Sequence, residues 1–277
     1  MAKMFKDGLK IPLFANIKIT DIGKRFRLFR ELGVFPEVYV DSDSLSTLSP
    51  IEINELKGLF AQNSMLSTVH APFWDLSLGS VDREVRELSV KRIAAAVDFA
   101  KSLNSRNVVF HSGYTETSYL SSPKADWNNR LFASLAEILD YAGSFGVRVS
   151  LENVYEPAPD IFVQACENFK KQDLGLCFDC GHFNVFAKTP LEDWLKAVAP
   201  YLRAIHVHSN HGTADEHLAV DGGNIDFEKV FRILAEKKAA PLITIENKID
   251  NYLVESVKIL RSEKYFRLLN SLMPDIA

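Results

Sequence analysis

Eight short apolar runs, separated by stretches of helical spacing, set the main constraint on how this chain can fold. They are Ile11 to Ala15, Pro36 to Asp41, Leu66 to His70, Asn107 to His111, Val147 to Glu152, Leu174 to Asp179, Leu202 to His208 and Leu242 to Glu246. Between them the periodicity predicts helices. The first follows Asp21 as its cap, carries Ile22, Phe26, Phe29 and Leu32, and closes at Gly33. The next spans Pro50 to Phe60. A long one, about Asp82 to Leu103, has a stripe of Leu88, Ile93, Ala96, Val97, Ala100 and Leu103. Another, about Ala125 to Phe145, buries Trp127, Leu131, Leu135, Ile138, Ala142 and Phe145. Shorter helices are expected over Asp160 to Lys170, His182 to Ala187, Leu191 to Val198 and Asp226 to Lys238, and from Asn251 into the 260s. Alternation of strand and helix is the mark of parallel βαβ units, and eight such units close a TIM barrel, (β/α)8. An open doubly wound sheet is the main alternative, but no Gly-x-Gly-x-x-Gly turn follows the first run. The 277 residues suit one barrel, so a single domain over 1–277 is expected.

The ends of these runs carry the chemistry. The third ends on His70, the fourth on His111, the fifth on Glu152 and the sixth on Asp179, with His182 just beyond. The seventh carries His206 and His208, and the eighth ends on Glu246. Side chains alternate across a strand, so Val149 and Leu151 oppose Ser150 and Glu152, and Ile243 and Ile245 oppose Thr244 and Glu246. The aliphatic set faces the helices and the polar set faces the barrel axis. All seven histidines lie at strand ends or in the loops after them. Gathering these ionisable groups unpaired would cost several kcal/mol each. A bound cation removes that cost, and imidazole with carboxylate but no thiolate suits zinc, manganese, iron or cobalt. The stretch from Ala204 to His211, with Asp215 and His217 after it, is the densest part of this pattern.

Composition excludes several classes. The net charge of −4 provides no overall footprint for nucleic acid. No apolar run reaches the roughly 18–20 residues of a membrane span. Met1 to Lys10 has no apolar core of a signal peptide, and three cysteines fit a reducing compartment, so a cytoplasmic location is expected. Cys177 and Cys180 form a Cys-x-x-Cys, but no second pair completes a zinc or redox motif.

The motifs Val69-His70-Ala71-Pro72, Phe110-His111-Ser112-Gly113, Leu151-Glu152-Asn153, Phe178-Asp179-Cys180-Gly181-His182, Ile205-His206-Val207-His208, Asp215-Glu216-His217 and Ile245-Glu246-Asn247 follow one another through most of the chain. In this the sequence resembles the superfamily of xylose-isomerase-like barrels, which includes endonuclease IV and many sugar isomerases and epimerases. The resemblance implies one to three divalent ions. The full set it implies is His70, His111, Glu152, Asp179, His182, His206, Asp215, His217 and Glu246. A one-ion set, Glu152, Asp179, His206 and Glu246, lies inside it. It also implies that Glu152 and Glu246 act as catalytic proton carriers.

Two activities fit. The first is a metal-dependent sugar or sugar phosphate isomerase or epimerase working through an enediolate. Phe73 and Trp74 are then candidates for packing on the sugar. Asn153, His208, Asn210 and His211 are candidates either for substrate contact or for bracing the ligands, and Lys248 is a further substrate-side candidate. Lys248 is the only basic residue close behind a strand-end ligand, which points to an unphosphorylated sugar or polyol. The second is an endonuclease IV-type phosphodiesterase acting at abasic sites in DNA, with Phe73 and Trp74 as wedges. The Gly222-Gly223 pair reads as a turn. Either a monomer or an oligomer fits the sequence.

Overall fold

The computed structural model describes residues 9–118, 120 and 123–272. Met1 to Gly8, the greater part of the segment read for a signal peptide, lie outside the described residues. Among those described, the strands are β1 (Leu13–Lys18), β2 (Phe35–Tyr39), β3 (Thr68–His70), β4 (Val108–His111), β5 (Val149–Glu152), β6 (Gly175–Asp179), β7 (Leu202–Val207) and β8 (Leu242–Ile245). Each pairs in parallel with the next, and β8 returns to β1, closing the barrel. The expected (β/α)8 TIM barrel is therefore the observed fold.

The helices are α1 (Ile22–Leu32), α2 (Ser42–Thr47), α3 (Pro50–Gln62), α4 (Arg83–Leu103), α5 (Lys124–Ser144), α6 (Asp160–Asn168), α7 (Cys180–Phe186), α8 (Leu191–Val198), α9 (Phe227–Glu236), α10 (Asp250–Leu260) and α11 (Glu263–Ser271). None is long and apolar enough to cross a membrane. Local chemistry explains their starts. Ser49 and Glu52 form a capping box before Pro50 of α3, and the Asp82 carboxylate accepts from the N–H groups of Glu84 and Val85 to open α4. Gly33 takes the left-handed conformation that ends α1.

Several expectations change in detail. Asp21 precedes α1 but makes no side-chain cap, because it already belongs to a short 3-10 turn. Leu88 and Phe145 are exposed at 44% and 38%, so neither belongs to the buried stripe expected of it. Phe145 instead closes the end of α5 and receives the Lys101 ammonium on its ring at 3.6 Å. The final helix is two, broken after Leu260, and α2 is an additional element.

Parity divides the interior into two apolar clusters. The larger lies between strands and helices and takes in Val38, Val69, Val108, Phe110, Leu151, Phe178, Ile205, Val207, Ile243 and Ile245. A small separate one, Val109, Cys177 and Ala204, sits on the inward face. Phe14 and Phe35, with rings 5.7 Å apart, share that face, and the polar Glu37, Thr68, His70, Ser150, Glu152, Asp179, His206 and Thr244 on it are all buried. The outer cluster provides the hydrophobic driving force, which leaves the axis free to carry charge.

The loop after β3 is tied to the loop after β4 at Gly113. That glycine has φ +72°, and a Cβ there would overlap the Leu76 carbonyl oxygen. Gly113→Ala is expected to lower stability by more than about 1 kcal/mol, read as a lower urea midpoint at unchanged slope.

Candidate metal centre

The polar strand ends meet at one mouth of the barrel. His70, His111, Glu152 and Asp179 are the last residues of β3 to β6, His206 is the penultimate residue of β7, and Glu246 follows β8. Glu152 is the hub. Its Oε2 lies 3.1 Å from His70 Nε2 and 3.3 Å from His111 Nε2. Its Oε1 lies 3.3 Å from His182 Nδ1 and 3.4 Å from His206 Nδ1. The same His206 nitrogen is 3.6 Å from Asp179 Oδ2 and 3.4 Å from Glu246 Oε1. A second group lies beside it. His182 Nε2 is 3.7 Å and His217 Nε2 2.7 Å from Asp215 Oδ2.

These separations suit a bound cation. Nitrogen and oxygen ligands on a tetrahedral shell of about 2.0–2.1 Å stand roughly 3.3–3.4 Å apart. Four overlapping trios bring ligand atoms within 4.8 Å of one another: His70, Glu152 and His206; Glu152, Asp179 and His182; Glu37, His206 and Glu246; and His208, His217 and Glu246. Both ring nitrogens of His206, Glu37 Oε1, Glu152 Oε1, His111 Nε2, His208 Nδ1 and Asp215 Oδ1 are buried without a hydrogen-bond partner among the described residues. Each such atom costs on the order of 1–3 kcal/mol unless something binds it, and a divalent cation suits both nitrogen lone pairs and carboxylate oxygens.

The electrostatics agree. Burial alone pushes Glu152 up, but the imidazoles of His206, His111 and His182 hold it well below the ordinary carboxylate range. Burial likewise opposes ionisation of Asp179, and His182, His208 and His206 outweigh it. His182 is pushed up to about 10, since Asp179, Glu152 and Asp215 together overcome its own burial. His111 is held below its usual value, chiefly by burial. In this arrangement imidazolium protons supply the positive charge that the carboxylates require.

The other expected residues occupy different places. His208 is fully buried, with Nε2 3.1 Å from both oxygens of Asp179, and its ring stacks at 4.0 Å on His217. It braces two ligand-type residues and has no face open to a substrate. Gly181 leaves it that room, since a Cβ there would overlap the His208 ring. Asn153 is also turned inward: its Oδ1 accepts from the Asp179 N–H and its Nδ2 donates to the Asp179 carbonyl. Asn210 donates to the Gly181 carbonyl. His211 is exposed and faces Glu216 at 3.0 Å. Lys248 is exposed. Phe73 stacks on His111 at 4.6 Å, and Trp74, 72% exposed, lies against Phe73 at 5.0 Å. His217 holds a left-handed backbone with φ 54°, an uncommon conformation for a residue with a side chain.

Three residues of the site were not picked out from the sequence. Asn16 donates to Glu246 Oε1 at 3.0 Å. Tyr39 edges onto His70 at 5.8 Å. Glu37 lies 3.0 Å from His206 Nε2. The available signal was parity, because Glu37 and Tyr39 alternate with the helix-facing Val38. A cavity of about 860 Å³ lies at the opposite end of the barrel, lined by Arg106, Arg148 and Arg203 among others. It contains none of the clustered ligand-type residues, and active sites of such barrels sit at the C-terminal mouth.

A family model described as xylose isomerase-like TIM barrel matches residues 28–263. The chain belongs to that family. An uncharacterized protein of Methanocaldococcus jannaschii is 33% identical over 231 residues, covering 80% of this chain and 78% of its own. Among solved structures, a D-tagatose 3-epimerase-like protein is 27% identical with a TM-score of 0.79, over 94% of this chain and 98% of its own. A Thermus thermophilus protein soaked with zinc chloride is 26% identical with a TM-score of 0.78, over 90% of this chain and 98% of its own.

Two outcomes follow from the geometry of this family member. Gly181→Ala is expected to push His208 off Asp179 and weaken zinc binding about 10-fold or more, with the circular dichroism spectrum retained. An unchanged zinc titration would remove His208 from the centre. Zinc binding near pH 7 is expected to release protons, because His182 must give up its own. Calorimetry in buffers of different ionisation enthalpy measures this, and affinity is expected to rise with pH.

Proposed function

We propose that this protein is a metal-dependent isomerase or epimerase of a small unphosphorylated sugar, working by proton transfer through an enediolate. The observation that carries this reading is the placement of Glu152 and Glu246, each with one oxygen 3.4 Å from the same nitrogen of His206. Moving a proton beside a carbonyl takes one carboxylate to remove it and another to return it at a neighbouring carbon or on the opposite face. A divalent ion such as zinc, manganese, iron or cobalt, held by Glu152, Asp179, His206 and Glu246, supplies Lewis acidity to the sugar oxygens and to the developing enediolate.

The two carboxylates differ in access. Glu246 is 8% exposed, and Asn16 fixes its Oε1, so it is the better placed to meet the substrate carbon. Glu152 is fully buried among imidazoles, which suits a ligand that would return the proton at the second position and be reset by exchange with Glu246 or its imidazole neighbours. Phe73 and Trp74 form an aromatic wall beside His111, able to cover the apolar face of a sugar and shield the site from water. Lys248 is the one basic residue next to a strand-end ligand, and Lys18 is taken by Asp41 at 2.8 Å. That is a poor cradle for a phosphate. The similarity to a D-tagatose 3-epimerase-like structure supports the same substrate class.

A second reading, hydrolysis of a phosphodiester at abasic sites in DNA, is favoured by one observation. His182, Asp215 and His217 lie beside the four-residue set, and clustered ions suit in-line displacement at phosphorus. The net charge of −4 weighs against it, since phosphate contacts supply most of the affinity for DNA.

Glu246→Gln is expected to lower turnover by about 10²–10⁴-fold while the fold stays intact. A panel of ketoses, run beside an abasic-site duplex, separates the two activities. Efficient strand incision without ketose conversion would overturn the isomerase reading.

A further inference from the structure

Three histidines of the mouth are oriented by main-chain carbonyls. His70 Nδ1 meets the Ala71 carbonyl at 2.9 Å, His182 Nδ1 that of Asn153 at 3.0 Å, and His217 Nδ1 that of Glu246 at 2.6 Å. A carbonyl only accepts, so each ring carries a proton on Nδ1 and turns Nε2 toward the centre.

His206 is reversed. It lies within β7, where the main chain is paired with β6 on one side and β8 on the other, so neighbouring carbonyls are committed to the sheet. Its Nδ1 is the nitrogen shared by Glu152, Asp179 and Glu246. Its Nε2 lies 3.0 Å from Glu37 Oε1, off the line of a good hydrogen bond, and neither atom has another partner among the described residues. Glu37 is 1% exposed, and its other oxygen accepts from the hydroxyls of Thr68 and Thr244, each at 3.0 Å. Those two donors commit Oε2 and leave Oε1 to face His206. Among the described residues no Lys or Arg reaches Glu37, so the group that faces this buried carboxylate, besides the two threonines, is the His206 ring.

We propose that Glu37 is a positioning residue for the metal centre: it keeps the proton of His206 on Nε2 and so directs the Nδ1 lone pair at the cation. The inference rests on the metal centre proposed above. The two nitrogens of an imidazole point away from each other, so an ion bound at Nδ1 stands across the ring from Glu37, which acts through His206. A histidine ligand commonly gives its second N–H to a carboxylate or carbonyl, which fixes the tautomer and raises the basicity of the ligating nitrogen. Here that role falls to a residue of β2, distant in sequence from the ligands.

Glu37→Gln tests this with little change of shape. The threonine hydroxyls hold the amide oxygen, and the amide NH2 then faces His206 Nε2, which favours a proton on Nδ1, where the cation has to bind. Zinc affinity is expected to fall about 10–100-fold relative to wild type. Nitrogen-15 NMR of the imidazoles gives a readout that simple destabilisation does not move. In the wild-type protein, His206 Nε2 is expected to bear a proton both free and zinc-loaded, and to lose it in Glu37→Gln. This measurement on wild type needs no variant to fold. A wild-type Nε2 without a proton, or a Glu37→Gln protein that binds zinc as wild type does, overturns the proposal. Failure of wild type to bind zinc would sink the metal-centre reading instead, and the ring protonation of the free protein would still decide the role of Glu37.

Discussion

Glu37, Glu152 and Asp179 lie inside a protein where an isolated carboxylate would be excluded. What makes their burial tolerable is mutual neutralisation with His70, His182, His206 and His208, at separations between 3.0 and 3.6 Å. Removing any one member leaves its partners charged and dry, which is far more costly than replacing a surface ion pair. The arrangement is consequently a network, and Glu152 and Asp179 are its crossing points.

The barrel makes such a network possible. Its strands are wrapped by an apolar layer that accounts for most of the burial, so the inward face can hold polar residues without loss of the fold. The inward face is itself graded, from the small cluster of Val109, Cys177 and Ala204 to charged groups at the mouth. Close approach is permitted at two glycines. Gly113 lets the β3 and β4 loops touch, and Gly181 gives the His208 ring its place against Asp179. The aromatic pair Phe73 and Trp74 borders the network at His111.

Much of this was legible in the chain. Strand ends were readable because side chains alternate with period two, so a histidine or carboxylate after an alternating aliphatic run has a defined face. Helix starts at Pro50 and after Asp82 were readable from capping chemistry. Misreadings have physical causes. Leu88 stands five residues before Ile93, and Ser89, one turn before Ile93, takes the buried place; Phe145 stands just past the end of α5. Asp21 is a sound capping residue whose backbone is occupied by a preceding turn. For His208 the chain left bracing and substrate contact both open; just past the end of β7 it lies against Asp179, fully buried. Glu37 was missed because a single glutamate within a short strand is ordinarily a solvated residue, and nothing local shows that its neighbours across the axis are Thr68, His206 and Thr244.

The sequence by itself determined the architecture and the list of groups at the strand ends, because periodicity and strand count are local properties that survive without knowledge of contacts. It also determined that imidazole and carboxylate, not thiolate, gather at the strand ends. Only the tertiary structure decided how those groups divide their labour: which nitrogen of each histidine faces the centre, which carboxylate is hub and which is open, and which buried residue holds His206 in place. Those depend on close approach between residues far apart in the chain, and such proximity exists only once the barrel has closed.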